Sequence, residues 1–569
     1  MRGWPPDLND AAALFAWAPL MVLGVPLFIA GLLAVARLRA RAVMAARWAA
    51  APALLTALTV PDTHLALPVV LLGSSLELDA LGRPFLLAVA VLWLVAGGLS
   101  RRDQKETGHV LLSLLAMSGS FAMALAADLS LFLLASTVSG YSLYGLLNGR
   151  AGTQSGTQSE TQTGNQTGTQ MLVLLLVLSD LILFECLLLL VYAGEGLELA
   201  SLPQSLADAP DNGLLLILLL LGFGAKAGLL GVHYWLAPTI STARAELRLA
   251  VIAFVLTAGL LPWTQLLAPG ALYWPEAGLA LQWLALATAG FALVAGLLQR
   301  RRGALAGYSV MALTGLWLAL FGTAMTEGAV AKASAATLAS VIAQSGLALS
   351  ALLLIGPPTA ADRWRWLRAA TVTAAALLLA DAVLTALALL AADSHAGTVA
   401  VPLLAMVCAA AGVLVGRTLH LTLLPPLAAR EPDALPAAML LTVGAALMAA
   451  GHAGGLDAPL LDSTAFLLGS VAGLLFEPLG RRLPSMPPGD LGQPIATLLH
   501  AKARRAKRIL AKTLGHWRDQ VQARLARASP STGWQQGLAA GENALRTWRT
   551  AILLVLTAAA IAAGLVLTG

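Results

Sequence analysis

Charged side chains are scarce in this chain: 11% of its 569 residues are Asp, Glu, Lys or Arg, while 58% are apolar. So few ionisable groups cannot coat a water-soluble protein of this length. Cysteine is almost missing. Cys186 and Cys408 stand alone in apolar stretches, which excludes a disulfide framework and a thiolate-held metal or iron–sulfur cluster. Nothing resembles a nucleophile triad or a phosphate loop, so neither a cofactor nor an independent catalytic site is expected. The net charge of +6 is spread over loops and one tail, without a basic domain that would point to nucleic acid. A basic leader is lacking too: Trp4, Pro5, Pro6, Asp7 and Asp10 precede the first apolar run, which is therefore expected to be retained.

What the chain has in abundance is apolar runs of about 20 residues, each long enough to cross roughly 30 Å of hydrocarbon as a helix. The runs are continuous and not alternating, so they predict an all-α polytopic membrane protein and exclude an outer-membrane barrel. The spans expected are Ala12–Val35, Val43–Val60, Pro84–Leu99, Val110–Ala127, Ser130–Leu147, Met171–Val191, Gly213–Leu230 and Leu247–Leu267. Then come Gly278–Leu298, Ala304–Ala324, Ala335–Ile355, Ala369–Leu390, Thr398–Leu421, Ala437–Ala450, Thr464–Leu479 and Ala551–Leu567, about sixteen in all.

Loop charge tests that count. Arg37, Arg39, Arg41 and Arg47 follow the first span, and Asp62, Glu77 and Asp79 the second. Alternation then puts Arg101, Arg150, Arg244, Arg300–Arg302, Arg363, Arg430 and Arg481 with the first group and Asp128, Glu195, Asp211, Glu327, Asp393 and Asp457 with the second. The positive-inside rule makes the first group cytoplasmic and both termini non-cytoplasmic, in a multi-pass protein of a bacterial inner membrane.

Two segments interrupt the bundle. Residues 151–170 are a quasi-repeat of Gly, Thr, Gln and Ser that cannot bury apolar surface and is expected to be a disordered cytoplasmic linker. Between about Leu491 and Ala528, Ile495, Leu498, Ile509, Leu514, Trp517 and Val521 recur at helical spacing among Lys502, Arg504, Arg505, Lys507, Arg508 and Lys512. That pattern predicts a cationic amphipathic helix on the membrane surface, touching lipid headgroups or bracing neighbouring helices and subunits.

Ionisable residues inside spans are candidates for function, because each costs several kcal/mol in hydrocarbon unless paired or wet. Lys226 lies in Gly222-Phe223-Gly224-Ala225-Lys226-Ala227-Gly228, where small residues allow close helix approach and a local break. A lysine there can gain and lose a proton, or reach an interface. Asp180 and Glu185 occupy the preceding span about 140° apart around the helix, so both cannot face Lys226, and Asp180 is the better partner. A structural ion pair would use the same two residues. Glu185 is left to face a lumen or another subunit, Asp381 stands alone in span twelve, and His233 follows Lys226 by about two turns, as a relay group or an interfacial histidine.

The segment GFGAKAGLLGVHYWLAP, residues 222–238, resembles the lysine-bearing broken seventh helix of the antiporter-like subunits of respiratory complex I. That superfamily includes multisubunit cation/proton antiporters, membrane-bound hydrogenases and an inorganic-carbon uptake complex. LELDALGRPFLLAVAVLWLVAGGLSR, Ser179-Asp180 and LLQRRRGALAGYSVMALTGL support the likeness, which covers roughly residues 70–360. Sixteen spans with a surface helix before the last is similar to the long distal-type subunit.

The resemblance implies two inverted five-helix repeats, each with a broken helix, and division into 1–109, 110–267, 268–424, 425–480, 481–548 and 549–569. It implies partner membrane subunits, an NADH–quinone or related complex, protons or Na+ as cargo, and a relay through Lys226, Asp180, His233, Glu185 and Asp381. It also implies a fifth-span glutamate, which falls near Thr137, an eighth-span base, where Val251 or Leu256 stands, and bases in span eleven at Ser340, Gln344 and Ala348. Two functions remain open on these residues: a translocating subunit with a shortened relay, and a non-pumping subunit that holds partners together.

The charge sorting carries a prediction. A cysteine at Arg301 should react with a membrane-impermeant maleimide only from the cytoplasmic side, and one at Asp211 only from the other. The reverse labelling would overturn the orientation.

Overall fold

The computed structural model describes residues 17–67, 74–100, 107–148, 160–192, 198–199, 201–208, 212–267, 273–299, 302–327, 332–355, 365–391, 411–414 and 435–452, with Phe15 and Gly416. The chain divides into Met1–Ala496 and Thr497–Gly569, and the second unit lies wholly outside the described residues. So do the predicted spans Thr464–Leu479 and Ala551–Leu567, the basic surface helix, and most of Thr398–Leu421.

In chain order the elements are α1 Ala18–Leu32, α2 Arg39–Ala45, α3 Ala51–Thr59, β1 Thr63–Ala66, β2 Ser75–Leu78, α4 Gly82–Leu99, α5 Thr107–Leu125 and α6 Leu129–Asn148. Next come α7 Glu160–Tyr192, α8 Leu202–Asp208, α9 Asn212–Ala227, α10 Leu236–Thr242 and α11 Ala245–Phe254, which passes through a π-helical turn, Val255–Leu260, into α12 Leu261–Leu266. The remainder are α13 Pro275–Leu297, α14 Arg302–Glu327, α15 Lys332–Leu354, α16 Arg365–Ala391 and α17 Leu435–His452. Among the described residues nine helical segments are long and apolar enough to span a membrane, and α1, α9 and part of α17 are shorter apolar helices. The chain is a polytopic α-helical membrane protein.

Lipid is as apolar as leucine, so these helices associate by close packing and interhelical hydrogen bonds. The seam between α13 and α14 shows how. A Cβ on Gly322 would come within 2.7 Å of the Gly278 carbonyl, and Gln282 donates to Thr323 at 3.3 Å. Helix α14 is buried on all sides, whereas much of α7 is left uncovered by the described residues.

Several expectations need correction. The predicted span Val43–Val60 is two short helices, α2 and α3, separated by a turn. Pro52 in the first turn of α3 has no N–H to donate to Trp48, so the ladder cannot run through. The quasi-repeat is helical from Glu160 onward, not a disordered linker to residue 170. A long apolar helix propagates cheaply once nucleated, and buried Gly168 and Thr169 seat its entry against Pro238 and Thr239. Helix α16 runs unbroken from Arg365 to Ala391.

The described residues are also not purely α-helical. Strands β1 and β2 form an antiparallel hairpin, with Leu76 and Leu78 fully buried. Short bridges extend it from Leu76 to Ala126 and from Asp128 to Glu198. Asp128 ties this layer to the bundle, accepting from Ser75 N–H at 3.0 Å, Ser74 Oγ at 3.2 Å, the Ser130 hydroxyl and, as a cap of α6, Leu131 N–H at 2.8 Å. Arg83 closes α3 by donating to the Ala57 and Val60 carbonyls at 3.1 and 2.6 Å while pairing with Asp62.

At the entry to α4, burial pushes the Asp79 carboxyl above the usual aspartate range, and the Gly82 N–H donating to it at 2.6 Å offsets only part of that. Glu77 is raised as well, by burial first and by the Asp79 charge second. Both groups hold a proton more tightly when folded, so their stabilisation is present at acidic pH and is lost as pH rises through their raised values. Asp79→Asn keeps the acceptor without the charge. It should flatten the loss of thermal stability of the detergent-solubilised protein between about pH 4 and 7, and an unchanged slope refutes the assignment.

Candidate functional site

Helix α9 stops in mid-bundle, immediately after Lys226 and Ala227. Gly228 and Gly231 then adopt φ of 77° and 90°, a left-handed conformation that suits glycine, and the chain restarts as α10. Irregular backbone at this depth is tolerated only if every freed carbonyl finds a donor. Here the substitutes are identifiable. The Gly224 carbonyl accepts from Leu229 N–H at 2.9 Å, Ala225 from the Trp235 indole N–H at 2.8 Å, and Ala227 from the Thr314 hydroxyl of α14 at 3.2 Å. Ser179 of α7 donates to the Gly222 carbonyl at 2.8 Å.

The π-helical turn approaches from the other side. A Cβ on Gly259 would lie 2.7 Å from the Ala227 Cα, so only glycine lets the two backbones meet. A small cavity opens beside the break, lined by Gly224, Ala227, Leu260, Trp263, Thr314 and Trp317.

Lys226 is 1% exposed and directs its ammonium between two helices. It donates to Asp180 Oδ1 of α7 at 2.7 Å and to the Ser136 hydroxyl of α6. Thr137, also on α6, has its one hydroxyl hydrogen within reach of both the second carboxylate oxygen, Asp180 Oδ2, at 3.1 Å and the Leu133 carbonyl at 2.9 Å, so the two acceptors share it. The pair is thus a closed cluster of ammonium, carboxylate and two hydroxyls. The position where the resemblance implies a glutamate carries a hydroxyl instead, and the carboxylate reaches the same place from the next helix.

The other candidates are not gathered here. Glu185 is exposed on the outer side of α7 and has no hydrogen-bond or ion-pair partner among the described residues. His233 is 3% exposed in the loop after the break, stacked on Tyr234 at 4.4 Å and on Phe291 of α13 at 4.9 Å. Asp381 of α16 accepts at Oδ2 from Gln344 Nε2 of α15 at 3.0 Å, and the same amide donates to the Leu378 carbonyl at 2.8 Å. Sequence reasoning named Asp180 for Lys226 but missed Ser136, Thr137 and the Gln344–Asp381 contact. The local signal was a polar residue, Thr137 or Gln344, at two of the places where a charged one was sought, and Ser136 had none. Among the described residues no group of three or more His, Cys, Asp or Glu converges as a metal site would require.

No protein-family model and no curated protein matches the sequence. Solved structures do. A chain of the Mrp complex from Dietzia sp. DQ12-45-1b superposes with a TM-score of 0.62 at 18% identity, covering 97% of this chain and 63% of that one, so this chain spans rather less than two thirds of its length. A chain of the membrane-bound sulfane sulfur reductase, an archaeal respiratory membrane complex, gives 0.56 at 16% identity, covering 95% of this chain and 99% of that one. A chain of respiratory complex I from Thermus thermophilus with bound Aureothin gives 0.49 at 19% identity, covering 84% and 98%. The chain shares its fold with the matched membrane chains of the Mrp complex and of the sulfane sulfur reductase.

Trp235→Phe keeps the ring and removes the N–H on which the Ala225 carbonyl depends. The expected cost is about 1–3 kcal/mol, seen as a lower unfolding midpoint in detergent, and a wild-type midpoint would show that the break does not need this donor.

Proposed function

We propose that the chain is a membrane subunit of a multisubunit proton- or cation-translocating complex, in which Lys226 and Asp180 load and release a proton at the helix break. The observation that carries this reading is the buried contact of 2.7 Å between Lys226 Nζ and Asp180 Oδ1, one residue from the end of α9. Removing the proton from Lys226 would leave Asp180 as an uncompensated carboxylate in a low-dielectric site, so the proton count and the geometry of the pair change together. Ser136 and Thr137 can only shuffle hydrogen bonds around it. Thr137 holds the carboxylate while Ser136 accepts from the ammonium.

The path away from the pair leads toward the second half. His233 is next along the chain and touches Phe291 of α13, and the cavity beside Thr314 adjoins the break. Asp381 with Gln344 forms the polar station of α15 and α16. The finer expectations belong to the same proposal: inverted repeats at 110–267 and 268–424, a basic surface helix on lipid headgroups, both termini on the non-cytoplasmic side, and redox chemistry of an NADH–quinone or related kind supplied by partner subunits.

A second reading, the non-pumping scaffold, is favoured by one specific observation. Gln344, an amide without a titratable proton, contacts Asp381 where a base would complete the relay. The two readings separate cleanly. In the intact complex, Lys226→Ala and Asp180→Asn should each lower proton-coupled activity by at least about tenfold while the assembly on native gels stays unchanged. Full activity in both variants would leave only the scaffold.

A further inference from the structure

We infer that the outer face of α7 around Glu185 is the docking surface for a membrane-spanning helix of a different protein, and that this helix presents a lysine, arginine or histidine to the Glu185 carboxylate. The inference rests on the reading of the chain as one subunit of a membrane complex and adds the surface and the chemistry of the contact.

Four observations carry it. Glu185 is exposed, while Asp180, about 140° away around the same helix, faces Lys226 inside the bundle. Its neighbours on that face are large and apolar: Leu181 is 64% exposed, Phe184 52% and Leu188 45%. This is not the wall of a water-filled lumen. Glu185 also lies six residues, about 9 Å, before Val191 near the end of the helix, farther than its short side chain can reach toward headgroups. Finally, no described residue pairs with it.

Hydrocarbon offers a carboxylate no hydrogen bond, so lipid is a poor occupant of this face. A second copy of the chain is a poor one too, since a two-fold contact centred here would set two Glu185 carboxylates against each other. An unlike helix that covers the leucines and brings one basic group satisfies both requirements, and charge complementarity would fix its register.

A photo-crosslinking phenylalanine at Leu188, in the full chain within its own membranes, tests this directly. The expected product is one dominant adduct with a membrane-spanning peptide of another protein, bearing Lys, Arg or His within about a turn of the linked position. Glu185→Leu should lower its yield by about tenfold, and the near-isosteric Glu185→Gln should lower it less. Should the Leu variant not accumulate, the Gln variant decides. Lys226→Ala should leave the yield unchanged, so loss of the transport reading and loss of this one are distinguishable. Adducts with lipid alone, with a second copy, with residues 453–569 of the same chain or with a peptide lacking a base overturn the inference, as does a yield indifferent to both Glu185 variants.

Discussion

The structure depends most on a bookkeeping constraint of the bilayer: a backbone carbonyl released from a helix in hydrocarbon must find another donor. Helix α9 ends among buried residues, and its last carbonyls are met by Leu229 N–H, the Trp235 indole and the Thr314 hydroxyl. Each donor comes from a different place: the turn itself, the restarting chain and a helix nearly ninety positions onward. The break is therefore held by both halves of the bundle, and the lysine at its edge is positioned as firmly as the surrounding helices.

Once the break is fixed, the electrostatics follow. Lys226 cannot snorkel, because its ammonium is already engaged by Asp180 and Ser136 between α6 and α7. The Thr137 hydroxyl of α6 reaches the same carboxylate from the other oxygen, so α6, α7 and α9 meet in one polar cluster. A second polar contact joins α15 and α16. Gln344 offers Asp381 a hydrogen bond but no charge, so that station can orient a carboxylate without exchanging a proton with it.

Much of the fold was legible in the sequence because the bilayer imposes so few solutions. Runs of apolar residues marked the third to twelfth spans and the one ending as α17 to within a few residues, apart from the early helical start at Glu160, and the glycines around Lys226 marked the break. The failures share a cause. Composition reads a window, whereas Pro52 acts through one missing N–H, the repeat from Glu160 is helical because the apolar helix beyond it already exists, and the hairpin at Ser75–Leu78 is too short to register as a period. The surface helix and the last spans lie outside the described residues, so their legibility rests on the sequence alone.

By itself, then, the sequence determined that the chain lives in a membrane, where most of its helices run, and which few charges they carry, since transfer free energy depends on residue type and run length. Helical periodicity also determined that Asp180 and Glu185 point apart. Only the tertiary structure decided which of them meets Lys226, that Ser136 and Thr137 complete the cluster, that Asp381 meets an amide, and that Glu185 is turned outward. Those outcomes depend on the rotation of one helix against another, which close packing of small residues sets and no single run of residues encodes.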